Sequence, residues 1–191
     1  MDIVGAIKSA PLVDLAIVIG LFAFLFVGVL QGAFRRLLGI AGILLAFLIA
    51  ANSRDSVGDW LAGNWTQFDL GYNRLIAFVV VFVALSVAAA VLIQIFYKRI
   101  ELSPDHPIVD DVVGGILGVV EGLVLLTLAV IILNSYPLPP AQAGDISLLR
   151  QAQDMLVNQS HIADGLRSGI VPPLVHVLSV LLPSDLVSVF P

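Results

Sequence analysis

The sequence predicts an all-α membrane protein with four transmembrane helices and a C-terminal amphipathic helical segment. Of its 191 residues, 59% are hydrophobic and 12% are charged, whereas soluble domains are about 45–50% apolar and about 25% charged. The mean hydropathy is +1.05. The charged residues are also unevenly placed, so that long uncharged stretches remain between them. Too few polar side chains remain to cover a water-exposed surface, and the bilayer is the expected environment.

The spans follow from the positions of the charges. A hydrocarbon core about 30 Å thick takes about 20 helical residues. We expect spans at about residues 12–30, 33–52, 74–97 and 112–134. These spans form a transmembrane domain over residues 1–136, which leaves residues 137–191 as a tail.

The first two spans are predicted to form a tight transmembrane hairpin. A single helix over residues 15–53 would be about 58 Å long, nearly twice the thickness of the hydrocarbon core. The chain must therefore reverse, and we place the turn in residues 28–32, where glycines permit unusual dihedral angles. Arg35 and Arg36 then lie at headgroup level, and we expect Asp14 to stay solvated at the other interface.

The remaining segments are predicted from helix-breaking residues and from the spacing of apolar residues. Residues 52–73 contain Asn, Ser, Gly and both tryptophans, which predicts a loop on the membrane surface. Residues 98–111 form the next loop, with the fourth helix beginning after Asp110 and Asp111. Apolar residues at spacings of three, four and seven between residues 149 and 170 indicate an amphipathic helix, started by Asp145 and ended by Gly169 and the following prolines.

Four spans place both termini on the same side of the membrane. The basic pairs Arg35–Arg36 and Lys98–Arg99 lie directly at helix ends on the other side. Basic residues in short loops favour the cytoplasm. We therefore expect a cytoplasmic hairpin tip, with the N-terminus, the C-terminus and the amphipathic tail outside the cytoplasm.

Glu121 is the candidate functional residue within the membrane. It lies nine residues past Val112, about 13–14 Å into the bilayer. An ionised carboxylate at that depth costs at least about 2.5–3.5 kcal/mol. Two interpretations remain open. Glu121 either handles a proton or ion or pairs with a basic group of a partner, or it is a protonated acid that hydrogen-bonds to Gln94, Ser86 or a backbone carbonyl.

Glycines form the second feature of the spans, because small residues four apart let helices approach closely in lipid. Gly114, Gly118 and Gly122 make one stripe on the fourth helix, and Gly28 and Gly32 make another at the hairpin. We interpret both stripes as helix-packing surfaces, within one chain or between two copies.

Other function classes find no support in the sequence. The net charge of −5, with nine Lys and Arg residues, argues against nucleic-acid binding. The absence of cysteine excludes thiolate metal sites, and the three histidines lie in separate segments, so neither a metal nor a cofactor is expected. No hydrolase, phosphate-binding or dinucleotide-binding motif is present. We therefore do not expect an enzyme.

Several segments together resemble the CvpA (colicin V production protein) family. They are Val13–Asp14 before the first span, the hinge GVLQGAFR at residues 28–35, DVVGGILGVVEG at residues 111–122, and LRSGIVPP at residues 166–173. The hinge departs from the family pattern by an inserted Ala33. A second departure is Val112, where many members have a basic residue.

The resemblance implies a four-helix protein of the bacterial inner membrane, linked to colicin V production or export and to envelope homeostasis. It implies no catalytic residue. Our first hypothesis is a non-enzymatic accessory or scaffold protein that acts through envelope or export membrane proteins, with a homo-oligomer as a further option. The alternative is a small proton- or solute-conducting bundle that uses Glu121.

Overall fold

The computed structural model describes residues 11–66, 70–96, 107–135, 154–179 and 181–183. Every element in these ranges is helical, and four helices are long and apolar enough to cross a membrane. The predicted fold class is thereby confirmed. The elements are α1 (Leu12–Gln31), α2 (Ala33–Asn64), α3 (Leu70–Phe96), α4 (Pro107–Ser135), a π-helix (Asp154–Asn158), α5 (His161–Gly169) and α6 (Val171–Leu178).

The reversal between α1 and α2 takes a single residue, Gly32. Its φ of 79° is in the region that favours glycine, and its N–H donates to the Gly28 carbonyl at 3.0 Å, which closes α1. A Cβ at Gly32 would also lie 2.5 Å from Oδ2 of Asp110. Both the backbone angle and the space therefore require glycine here, while Gly28 stays within α1.

The four long helices are arranged as two close pairs, α1 with α4 and α2 with α3. Helix α2 also contacts α4, whereas α1 touches α2 little beyond the turn. We call the end of the bundle at Gly32 the hairpin end and the opposite end, where α4 finishes, the tail end. Because α1 pairs with α4 and not with its sequence neighbour, a gap remains between α1 and the α2–α3 pair.

Helix α2 is longer than predicted, since residues 52–64 continue it instead of forming a loop. Asn52 and Ser53 donate side-chain hydrogen bonds to carbonyls one turn earlier, at 2.8 Å each, so they do not break the helix. Beyond them, Arg74 of α3 contacts Asp55 and Asp59 at 3.3 and 3.0 Å. Packing against α3 therefore overrides the turn-forming composition of this segment.

Two further helix starts differ from the predicted boundaries. Helix α3 begins at Leu70 instead of residue 74, and α4 begins at Pro107 instead of after Asp111. Proline suits the first turn of a helix, where its missing N–H has no partner to lose. The part of the predicted loop before residue 107 lies outside the described residues, as does Asp145, the predicted start of the tail helix.

The hydrophobic core lies toward the tail end. Phe47 of α2 is fully buried against Phe78 and Phe82 of α3, with ring centroids 5.5 and 6.2 Å apart. The same cluster contains Leu128 of α4 and several tail residues: Ala163, Val171, Val175, Leu178 and Leu182. The described part of the tail therefore shares one core with the bundle, across the boundary that was predicted at residues 136–137.

Asp14 of α1 holds the tail in place. It is 7% exposed, so the solvated position expected from the sequence is wrong. Its carboxylate accepts hydrogen bonds from the Ser160 hydroxyl at 2.5 Å and from the His161 amide at 3.1 Å. The Ile162 amide also donates to this carboxylate, at the longer distance of 3.5 Å. A carboxylate at a helix N-terminus satisfies amide groups that have no partner within the helix, so Asp14 caps α5.

Replacing Asp14 with alanine is expected to weaken docking of α5 by about 1–2 kcal/mol, the range of a lost helix cap. Hydrogen exchange of the α5 amides should then become about tenfold faster, while exchange in α2 and α4 stays unchanged. Ser168→Ala is the matched control, because the Ser168 hydroxyl bonds only within α5 among the described residues. Equal exchange in both variants would contradict the capping role.

Candidate functional site: an ion pair beside a polar cleft

Arg36 of α2 and Glu121 of α4 form an ion pair inside the bundle. Nη1 of Arg36 donates to Oε2 of Glu121, and the two residues are 5% and 8% exposed. Gly39, one turn after Arg36, gives the carboxylate room, since a Cβ there would lie 2.9 Å from Oε1. Opposite charges in contact stabilise each other most where water is excluded, so the pair makes both charges tolerable inside the protein.

The pair lies at mid-depth in the bundle. Gly122, next to Glu121, faces Leu21 and Phe24, which lie at the middle of α1. The guanidinium carbon of Arg36 is 5.8 Å from the centroid of the Phe24 ring, within the range of a cation–π contact. Arg36 of α2 therefore links its own helix to two others, because it pairs with Glu121 of α4 and contacts the Phe24 ring of α1.

The position predicted for Arg36 is wrong, because its side chain turns into the bundle and not to the headgroups. Glu121 likewise pairs with Arg36, and not with Gln94, Ser86 or a backbone carbonyl. The sequence placed Arg36 near the helix end, only four residues into α2. Its long side chain reaches from there toward mid-depth, whereas the Glu121 side chain points back along its helix toward the N-terminus.

A cleft of about 330 Å³ opens beside the pair, between α1, α2, α3 and α4. It occupies the gap that remains because α1 does not pack along α2. Its polar lining residues are Gln31, Arg35, Arg36, Gln94 and Glu121, and its apolar ones include Ala23, Val27, Ala90 and Ile93. Gln94, a predicted site residue, thus lines the same cleft as Glu121.

The predicted glycine stripes face each other across the α1–α4 contact. A Cβ at Gly114 would meet the Gly28 carbonyl, and a Cβ at Gly118 would overlap the Phe24 carbonyl. Gly122 faces side chains, and a Cβ there would lie 2.9 Å from Cδ2 of Leu21. The close approach of α1 and α4 within one chain therefore depends on these residues having no side chain.

Of the basic residues expected at the interface, Arg35 is half-buried and lines the cleft. Lys98 and Arg99 lie outside the described residues. Arg35 and Arg36 are adjacent in the chain, yet one side chain borders the open cleft and the other pairs with Glu121. That difference depends on which helix faces each position and carries no signal in the sequence.

Asp110 is a third buried carboxylate, after Asp14 and Glu121, and sequence reasoning missed its burial. It is 2% exposed, and its Oδ1 accepts a hydrogen bond from the Ala33 amide at 3.2 Å. Helix α2 is therefore capped by a residue of α4, much as α5 is capped by Asp14 of α1. Asp14 and Asp110 are each in the first turn of a long apolar helix. This position is the one sequence signal that could have identified them as capping residues.

Among the described residues, no group of three or more His, Cys, Asp and Glu side chains could hold a metal ion.

Residues 13–169 match the family described as colicin V production protein. The chain belongs to this family. The match covers well over half of the sequence and includes Asp14, the glycine stripes, the ion pair and α5. No curated protein and no solved structure matched the chain.

Membership and the four apolar helices together describe a multi-pass membrane protein of the colicin V production family. The family is not known to be catalytic. The matched range ends at Gly169, so α5 belongs to the family pattern while α6 follows it. Docking of the tail by Asp14 is thus a contact between the first and the last parts of the matched range.

Proposed function

We propose that this protein is a non-enzymatic accessory protein of the bacterial inner membrane, which supports colicin V production and envelope homeostasis by binding other membrane proteins. The hairpin end faces the cytoplasm and the tail end faces outward. Arg35 lies at the hairpin end, and Lys98 and Arg99 follow α3 in the sequence. Basic residues in short connections next to span ends favour the cytoplasm by the positive-inside rule, which supports this orientation.

The ion pair between Arg36 and Glu121 is the observation that carries the proposal. A charged residue within a membrane is by default a candidate for transport. Here the charge of Glu121 is balanced by an arginine of the same chain, and the pair joins α2 to α4. The carboxylate thus has a structural role that requires no transported ion, as expected of a scaffold.

Partners would meet the protein on its outward apolar faces. Helices α1 and α3 have the smallest buried share of the four spans, 11% each, against 44% for α4. Side chains such as Phe22, Phe26, Val83 and Val87 are more than half exposed. Since lipid provides no hydrophobic driving force between helices, another membrane protein or a second copy of this chain would bind such faces by close packing.

Crosslinking in intact cells, followed by purification of the tagged protein and weighing of the complex, tests this proposal. Residues on the outer face of α3 are suitable crosslinker positions. Val83 on α3 is the test position, and Leu61 at the tail end is the matched control. A stoichiometric envelope or export protein captured from Val83 would support the accessory role. Recovery of the protein alone, or with lipid only, from every position would overturn it.

The cleft beside Glu121 favours a second candidate, a proton- or solute-conducting bundle. Glu121→Gln keeps the shape and can still accept a hydrogen bond from Arg36, but it removes the titratable group and leaves the buried Arg36 charge without its partner, so some loss of stability is expected. An accessory protein should keep its complementing activity in a deletion strain, with partner recovery within about twofold of the wild type. Arg36→Gln combined with Glu121→Gln removes both charges, so no buried charge remains unpaired, and this double variant should keep the same activity and partner recovery.

The two functions differ in what they predict for these variants. A conducting bundle would lose activity in both variants while the protein still inserted and kept its partner. Thermal unfolding of each purified variant serves as the control for folding. Loss of activity with unchanged unfolding and unchanged partner recovery would replace the accessory role with conduction.

A further inference from the structure

We propose that the cleft between α1, α2, α3 and α4 binds one anionic phospholipid, with the phosphate at Arg35 and an acyl chain along the apolar wall. This goes beyond the accessory role, because binding of the lipid needs no protein partner. The site would lie toward the hairpin end, at the mouth of the gap between α1 and the α2–α3 pair.

Charge is the first argument for an anion. The cleft is lined by two guanidinium groups and one carboxylate, so one positive charge remains after the Arg36–Glu121 pair is formed. Among the residues that the structure describes, no ion pair or hydrogen bond engages the Arg35 side chain. A positive charge in a partly apolar cleft is stabilised strongly by an anion.

Unused hydrogen-bonding groups are the second argument. Arg36 is 5% exposed, and its Nε has no acceptor among the described residues. Gln31 and Gln94 also line the cleft and bring amide groups to it. Phosphate oxygens accept several hydrogen bonds at once, and arginine is well suited to bind them.

The apolar wall determines that the anion belongs to a lipid. Ala23 and Val27 on α1 and Ala90 and Ile93 on α3 contribute to the apolar part of the cleft wall. Ala90 is exposed, so the cleft is open toward the surrounding lipid between these two helices. An acyl chain can enter by this route while the phosphate stays near Arg35, which a free phosphate ion would not require.

The test is a titration of the delipidated full-length protein with matched lipids, read by native mass spectrometry. Phosphatidylglycerol is expected to bind about tenfold more tightly than phosphatidylcholine with the same acyl chains. Arg35→Gln should remove most of this preference, since it removes one charge-assisted contact. Arg167→Gln, which removes an exposed charge of α5, is the matched control and should leave the preference unchanged.

A steric variant makes the test independent of charge. Ala90→Phe narrows the apolar wall from an exposed position, so it should weaken phosphatidylglycerol binding several-fold without altering charge. Elution as a single species and an unchanged unfolding temperature show that each variant is folded.

Three results would overturn the proposal. The first is equal binding of both lipids by the wild type, and the second is equal behaviour of the Arg35 and Arg167 variants. The third is displacement of the bound lipid by inorganic phosphate at millimolar concentration, which would assign the site to a free anion. Because the titration uses the isolated protein, its failure would leave the proposed accessory role untouched, and failure to capture a partner would leave the lipid site untouched.

Discussion

Replacing Arg36 with leucine is expected to destabilise the bundle by about 3–5 kcal/mol, the cost of leaving a buried charge without its partner. Glu121 would then face Gly39 and the cleft with no positive charge in contact, since Arg35 is not paired with it. The variant would also lose the link that the pair makes between α2 and α4. Reversible unfolding in mixed detergent micelles, followed by circular dichroism, measures the difference.

The double variant distinguishes the pair from its separate members. With Arg36→Leu and Glu121→Leu together, no charge remains unpaired, and apolar replacements of a buried ion pair are often neutral or stabilising. We therefore expect the double variant to recover most of the stability that Arg36→Leu loses. Additive losses in the two single variants and the double variant would show that the two side chains do not interact.

Gly118→Ala is expected to separate α1 from α4, with a loss of about 1–3 kcal/mol from one added methyl group. The new Cβ would overlap the Phe24 carbonyl and lie 3.2 Å from the Cα of Gly28. Both are backbone atoms, which cannot move aside as a flexible side chain can. The two helices would have to shift apart over their contact, and the Arg36–Phe24 contact would lengthen with them.

Gly20→Ala is the matched control, because it adds the same methyl group to the same helix pair where no atom lies within 4 Å. Alanine favours helix over glycine by about 0.5–1 kcal/mol, so this variant should be neutral or slightly more stable in the same detergent unfolding assay. If Gly118→Ala and Gly20→Ala unfolded alike, the α1–α4 contact would be looser than the structure shows.

The four spans and the position of the turn could be predicted because each depends on local chemistry. Long uncharged stretches must cross the bilayer as helices, since backbone groups have no other partner there, and a reversal between two spans requires a residue such as Gly32. The same reasoning overestimated the tendency of the residues after Asn52 to form a loop, since they continue helix α2. Their side chains bond within α2, and their charges pair with Arg74 of α3, which no local pattern reveals.

The partners of the buried acids could not be predicted from the sequence, for a related reason. Asp14, Asp110 and Glu121 all occur at or within apolar helices, where a solvated, a protonated or a paired carboxylate gives the same pattern. Their partners are 146, 77 and 85 residues away along the chain. Such distances carry no periodicity, so the partner of each acid can be identified only from the fold.

The sequence by itself determined the environment, the number of spans, the family resemblance and the presence of Glu121 within a span, because composition and spacing express how a chain meets lipid. Tertiary structure decided what the polar groups do. Helix α1 packs against α4 and not against its neighbour α2 because the glycines match there, and that pairing opened the cleft and turned Arg36 inward. Which helices pair depends on shape complementarity between distant segments, and this is set only when the whole chain has folded.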